Sequence, residues 1–216
     1  MNLIIFGPPG AGKGTQSEKL ASNFNLFKVS TGDLLREEIT KKSILGMKIK
    51  EAVDKGFLVP DSIINNLIEN LLSQKKYFNR LVFDGYPRTF NQTLSLENSL
   101  NKFKQKILCV LSLNVDKEVL IKRIIGRINC SKCGLTFNEF FYPPDNEKHY
   151  CGSVFLVKRS DDQKNTIEAR YETYLKETMP IISFYKEKNL LHEINGMDGI
   201  AHIYEQIYRI ILTLKG

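Results

Sequence analysis

The sequence predicts an α/β fold, a parallel β-sheet covered by helices on both faces. Three observations point to it. Short apolar runs, suited to strands buried on both sides, alternate with longer amphipathic stretches. A glycine-rich segment, residues 7–15, links the first such run to the first helical stretch. The alternation then breaks between about residues 126 and 162, which contain Pro143-Pro144 and three of the 4 cysteines.

Leu3-Ile4-Ile5-Phe6 is an apolar run stopped by Gly7, as in a buried strand, and a helix follows over about residues 13–23. Phe27-Lys28-Val29 is a second short strand. Residues 43–55 and 61–74 read as helices; in the latter Asp61 is the expected N-cap, and Ile63, Ile64, Leu67, Ile68, Leu71 and Leu72 share one face. Leu81-Val82-Phe83-Asp84 is a strand ending on a carboxylate. Residues 107–113 form another strand and 116–125 a helix. Leu191-His192-Glu193-Ile194 is the last strand, and a helix over 199–214 closes the chain. Within 126–162, the stretch from Phe137 to Tyr142 leans to β-structure, and a small β-rich insert is expected there.

The 216 residues allow one principal domain with small insertions. An apolar fraction of 42% and a charged fraction of 25% exclude disordered, collagen-like and coiled-coil classes. No apolar run approaches the roughly 20 residues of a membrane helix. The opening residues lack the basic start and long apolar middle of a signal peptide, so a cytoplasmic location and no membrane partner are expected. The net charge of +7 fits either nucleic acid or small phosphorylated substrates.

The segment Gly7-Pro8-Pro9-Gly10-Ala11-Gly12-Lys13-Gly14-Thr15 lies where a strand runs into a helix. Backbone N–H groups of such a loop cradle phosphate oxygens, helped by the helix N-terminus. Lys13 supplies a mobile charge for the β- and γ-phosphates. The general pattern has Ser or Thr directly after the lysine; here Gly14 intervenes and Thr15 follows.

Further segments come in a fixed order along the chain: Ser30-Thr31-Gly32-Asp33-Leu34-Leu35-Arg36, Gly56-Phe57-Leu58-Val59-Pro60-Asp61, Asp84-Gly85-Tyr86-Pro87-Arg88-Thr89 with Gln92, Arg123-Ile-Ile-Gly126-Arg127, and Arg159-Ser-Asp161-Asp162 with Arg170. Together with Lys13-Gly-Thr15 they resemble the adenylate kinase family, of the long-lid bacterial type, across the whole chain. The resemblance implies a P-loop three-layer core (residues 1–29, 60–125 and 163–216), a helical AMP-binding insert (30–59) and a lid (126–162). It implies reversible phosphoryl transfer from MgATP to AMP, giving two ADP, by a monomer.

It also implies roles. Gly10, Ala11, Gly12, Lys13, Gly14, Thr15, Arg123 and Arg127 are expected to hold ATP. Thr31, Arg36, Leu58, Val59, Gly85, Arg88, Gln92, Arg159 and Arg170 are expected to hold AMP, with Gln92 against the Watson–Crick edge of the base. Lys13, Asp84, Arg88, Arg123, Arg159 and Arg170 are the expected catalytic set, Asp84 organising Mg²⁺ through water. The Tyr86–Pro87 bond is cis in the family. The chemistry agrees: phosphoryl transfer needs in-line phosphates and screened charge, and the planar guanidinium fork matches phosphate oxygens.

Cys130-Ser-Lys-Cys133 has the knuckle spacing of a structural zinc site. Cys151 matches the family's fourth ligand; the third falls at Lys148, with His149 beside it. Cys130, Cys133, His149 and Cys151 are therefore the expected Zn²⁺ ligands, Asp145 the substitute for His149, and a degenerate lid with unpaired thiols the alternative. Cys109, in an apolar strand, is expected to be core.

Rival readings are a zinc-ribbon nucleic-acid binder, a P-loop GTPase, and a UMP/CMP or GTP-dependent AMP kinase. Arg127, Lys132, Lys148, Lys158 and Arg159 in the lid are matched by Glu139, Asp145, Glu147, Asp161 and Asp162, whereas a DNA-gripping ribbon is basic. No Asn-Lys-x-Asp motif is present. The long lid and Thr31 favour AMP over UMP or CMP.

Overall fold

The computed structural model describes residues 1–145, 149–159 and 161–216. The place at Lys148 considered for a metal ligand lies outside them. Five strands form a wholly parallel sheet: β1 (Asn2–Phe6), β2 (Phe27–Ser30), β3 (Leu81–Asp84), β4 (Ile107–Asn114) and β8 (Leu191–Asn195), in the order β2-β3-β1-β4-β8. Side chains alternate along β1, and this creates two cores. Ile4 and Phe6 pack with Ile68 of α4 (Asp61–Leu72), Leu96 of α5 (Phe90–Lys102), and Ile181 and Tyr185 of α8 (Met179–Glu187). Leu3 and Ile5 pack on the other face with Leu20 of α1 (Lys13–Phe24), Leu120 of α6 (Lys117–Ile125), and Ile203, Ile207 and Ile211 of α9 (Ile200–Lys215). Cys109 is fully buried in the second core, and burial pushes its thiol up to about 12.

Between β2 and α4 stand α2 (Thr31–Thr40) and α3 (Ile44–Asp54). Ser43 caps α3 by accepting from the Gly46 N–H at 2.8 Å. The two helices meet so closely that a Cβ at Gly46 would lie 2.1 Å from the Glu38 carbonyl oxygen, so only glycine fits. After α6 comes an antiparallel sheet of β5 (Arg127–Cys130), β6 (Thr136–Asn138) and β7 (Leu156–Val157), in the order β6-β5-β7. From α7 (Lys164–Thr173) the chain runs through a π-helical turn, Tyr174–Thr178, into α8. Pro180 follows that turn; it has no N–H and its ring crowds the carbonyl four residues back, which widens the turn.

Two sequence expectations need correction. Asp61 does not cap α4: Pro60 is the cap and Asp61 the first helical residue, its carboxylate turned instead to Thr89 and Gln92. The β-leaning stretch 137–142 is strand only to Asn138; the chain then doubles back, with Asn138 bridging Tyr142 and its Oδ1 accepting from the Phe140 N–H at 2.9 Å. The helices over Phe90–Lys102 and Lys164–Glu187 carry no clear local signal, because polar residues interrupt their apolar faces; α5 and α8 are held by burial of Leu96, Leu100, Ile181 and Tyr185 on the sheet, and α7 packs beside α6. Among the described residues, no helix is long and apolar enough to cross a membrane.

Candidate active site

The segment 7–15 turns from β1 into α1 with Gly7, Gly10 and Gly12 at positive φ. Gly12 is the N-cap of α1, and nothing lies within 4 Å of where its Cβ would be, which leaves the helix N-terminus open to an anion. The Lys13 ammonium donates to the carbonyls of Gly7, at 2.7 Å, and Pro8, at 2.9 Å. Burial above all, opposed by Asp84 and helped by Arg88, Arg170 and Arg127, lowers its pKa to about 7.

A cavity of about 490 Å³ opens over this loop. Lys13, Arg36, Arg88, Arg123, Arg127, Arg159 and Arg170 all line it, with Asp84 at the C-terminal end of β3. That is the usual position for a ligand site in an open parallel sheet. Asp84 Oδ2 would lie 3.4 Å from a Cβ at Gly14, so the carboxylate faces the loop. It makes no hydrogen bond or ion pair with the described residues.

The arginines are held from several directions. Arg88 donates through Nε to the Gly85 carbonyl at 2.7 Å, and Arg123 donates to the Gly196 carbonyl at 2.9 Å. Arg36 pairs with Asp33 at 2.5 Å, Arg170 with Asp161 at 2.7 Å, and Arg127 Nε with Asp162 at 2.7 Å. Ion pairs also span the space between α2 and the small sheet: Arg159 to Asp33 at 3.7 Å and Arg36 to Asp161 at 4.0 Å. Neither Arg88 nor Arg123 has a carboxylate partner among the described residues.

The electrostatics are those of a site awaiting an anion. Burial, then Arg170, brings Arg88 down to about 10, and burial with Arg127 and Arg36 does the same to Arg159. Burial also lowers Arg123 and Arg170. For Arg127, burial is outweighed by Asp162 and its pKa rises. Asp33 is held at about 2: burial opposes ionisation, and Arg36 overcomes it. A polyphosphate entering here relieves this repulsion and satisfies the guanidinium forks.

Beside the cavity, Leu58, Gly85 and Arg88 border a smaller pocket of about 60 Å³. Thr31, Val59 and Gln92 are buried next to it. Thr31 Oγ1 donates to the Gly85 carbonyl at 2.8 Å. Gln92 is already engaged: Oε1 accepts from the Arg88 N–H at 2.7 Å and Nε2 donates to Asp61 Oδ1 at 2.7 Å. The Tyr86–Pro87 bond is cis.

Sequence reasoning gave no role to several neighbours. Lys28, Asn138 and the 197–200 loop line the cavity, and Thr178 in the π turn donates to the Arg88 carbonyl at 3.0 Å. Gln16 lines it too, its Nε2 donating to the Ile200 carbonyl at 3.0 Å. The lysine-glycine-threonine run extends directly into Gln16, a signal that could have been followed.

In the small sheet the ligand atoms of Cys130, Cys133, His149 and Cys151 lie within 4.8 Å of one another. His149 is buried, and its Nε2 has no hydrogen-bond partner among the described residues. Cys130 Sγ accepts from the Lys132 and Cys133 N–H groups, each at 3.4 Å. Burial opposes ionisation of this thiol, but those bonds and His149 bring it down to about 6.

The family model described as adenylate kinase matches residues 5–190. A curated relative from Pelagibacter ubique, named adenylate kinase, is 43% identical over 211 residues, covering 98% of this chain and 99% of the relative. Relatives of the same name from Archaeoglobus fulgidus and Listeria monocytogenes are 37% identical over 217 residues and 39% identical over 214. The Archaeoglobus match covers 100% of both chains, and the Listeria match 99% of this chain and 100% of the relative.

Proposed function

The chain belongs to the adenylate kinase family and catalyses phosphoryl transfer between ATP and AMP; from that premise we propose how its residues divide the work. The observation that carries the assignment is the convergence of Lys13 and six arginines from separate segments on one cavity at the phosphate loop. Residues 10–15, Arg123 and Arg127 hold ATP. Thr31, Arg36, Leu58, Val59, Gly85, Arg88 and Gln92 hold AMP. Arg159 and Arg170 close on the phosphates between them. Residues 30–59 act as the AMP-binding insert and 126–162 as the lid, over a core of 1–29, 60–125 and 163–216. The ion pairs across the cleft are consistent with closure that excludes water, which would otherwise take the phosphoryl group.

Adenylate kinases use Mg²⁺ with ATP. An unpaired carboxylate facing the phosphate loop fits that ion, and we assign Asp84 to it, through water. The ion supplies charge neutralisation at the β- and γ-phosphates. Lys13 then follows the charge developing on the moving phosphoryl group, while the arginine forks keep donor and acceptor in line.

The test is a panel of phosphate acceptors with ATP: AMP is used far better than UMP or CMP. A preference for either pyrimidine nucleotide would reassign the base slot. Nothing favours a nucleic-acid partner, and we propose a cytoplasmic monomer; light scattering of the purified chain checks its mass.

Lys13 also predicts proton uptake. With a pKa of about 7 before nucleotide binds, it is largely neutral at pH 8. Bound phosphates favour its charged form and raise the pKa. Lys13 therefore takes up close to one proton on nucleotide binding at pH 8 and almost none at pH 6, where the nucleotide's own phosphate, with a pKa of about 6, releases protons instead. Calorimetry in buffers of different ionisation enthalpy reads this directly; equal uptake at both pH values would count against it.

Three thiols and a buried imidazole nitrogen without a hydrogen-bond partner among the described residues match the donor set of a structural zinc. Cys130, Cys133, His149 and Cys151 would hold it, and the metal would give the small sheet the constraint that its few apolar side chains do not supply. The purified chain is expected to carry one zinc. Cys130→Ser lowers Tm while the preference for AMP is kept, and His149→Ala loses part of the metal affinity. A metal-stripped chain melting at the parent temperature would overturn the zinc assignment alone.

A further inference from the structure

The carboxylate of Asp61 is the unexpected feature of the acceptor side. It heads α4, yet both its oxygens are used away from its own helix: Oδ2 accepts from Thr89 Oγ1 at 2.8 Å and Oδ1 from Gln92 Nε2 at 2.7 Å. The Gln92 amide is gripped from its other end by the Arg88 N–H, which donates to Oε1 at 2.7 Å. An N–H can only donate and a carboxylate can only accept, so the amide has one allowed orientation. A flip would set Nε2 against the Arg88 N–H and Oε1 against the Asp61 oxygen. Gln92 is itself buried, so water does not repair either clash.

An amide has two lone pairs and two N–H groups, and one of each is left uncommitted among the described residues. As an acceptor beside a donor, that remainder complements a 6-aminopurine, whose N6 amine donates and whose N1 accepts. It opposes a 6-oxopurine, whose O6 accepts and whose N1–H donates; a flipped amide would suit that base. We propose that Asp61 is a specificity-determining positioning residue: it touches no substrate, but fixes the polarity of the Gln92 amide and so favours AMP over a 6-oxopurine monophosphate. This rests on the assignment of Gln92 to the acceptor base.

The test compares kcat/KM for AMP with that for inosine monophosphate, with ATP as donor, in the full-length enzyme. Asp61→Asn puts a group that can also donate where only an acceptor stood, which permits the flip at one of its two ends. The preference for AMP is expected to fall roughly tenfold or more, tenfold being the lower end of what one charge-assisted hydrogen bond is worth. Asp61→Glu, acceptor-only like the parent, keeps the preference. Asp61→Ser, whose hydroxyl can accept or donate, carries the same test should the asparagine variant fail to fold. A preference unchanged within twofold in Asp61→Asn, or lost equally in Asp61→Glu, would overturn the proposal and leave Asp61 a brace. If Gln92→Ala also leaves the preference unchanged, the assignment of Gln92 to the base falls first. If Gln92→Ala abolishes it and Asp61→Asn does not, only the role of Asp61 falls.

Discussion

Replacing Lys13 with methionine is expected to lower kcat by ~10²–10³ or more, the loss typical when a donor aimed at developing charge is removed. The side chain is of similar length and keeps its packing, but nothing then follows the phosphoryl group. The fold should not suffer. Burial depresses the lysine pKa, so carrying its charge there opposes folding; that effect is full below pH 7 and fades as pH rises from 7 toward the free value of 10.5. The variant loses two hydrogen bonds to backbone carbonyls and gains relief from that charge. Its Tm near neutral pH is expected within a few degrees of the parent, measured beside single-turnover rates. A variant retaining more than a tenth of parental kcat would place the catalytic cation elsewhere.

The second large effect concerns Arg88. Its Nε is spent on the Gly85 carbonyl and its backbone is held at both ends, by Gln92 at the N–H and Thr178 at the carbonyl. Arg88 lines the cavity, and its guanidinium has no carboxylate partner among the described residues. Lysine keeps a charge but cannot hold Gly85 and a phosphate with one planar fork. Arg88→Lys is therefore expected to lose at least one charge-assisted hydrogen bond, roughly a 10- to 150-fold fall in kcat/KM for AMP. The KM for ATP should move much less. A near-parental value for AMP, or an equal loss for both nucleotides, would show that Arg88 does not serve the acceptor phosphate.

Neither effect could be ranked from the sequence, because both depend on what surrounds the charge. Lys13 and Arg88 are recognisable by their neighbours in the chain. That Lys13 is hemmed in by three arginines, or that Arg88 has no carboxylate partner among the described residues while Arg36, Arg127 and Arg170 have one, is a property of the folded chain. The same holds for Asp61. As a helix-leading aspartate before an apolar face it reads as a cap, since local capping is the cheapest use of such a residue. Only the packing of α4 against α5 brings Thr89 and Gln92 within reach and redirects it.

What the sequence determines by itself is whatever short-range stereochemistry enforces. Buried strands need unbroken apolar runs, and β1, β3 and β4 show them. A phosphate loop needs glycines at fixed offsets from a lysine, and residues 7–15 supply them. Thiols at knuckle spacing mark a metal candidate before any fold is known. What the tertiary structure decides is which distant groups share a space. The strand order β2-β3-β1-β4-β8 aims separate loops at one end of the sheet and gathers arginines from residues 36 to 170 around one cavity. Chain spacing does not show that His149 stands with the three cysteines; the folded chain brings its ligand atom within 4.8 Å of theirs, with Nε2 unbonded among the described residues. Covalent spacing fixes neighbours within a turn or two, while Coulomb and hydrogen-bond energies depend on distances that only the packed chain sets.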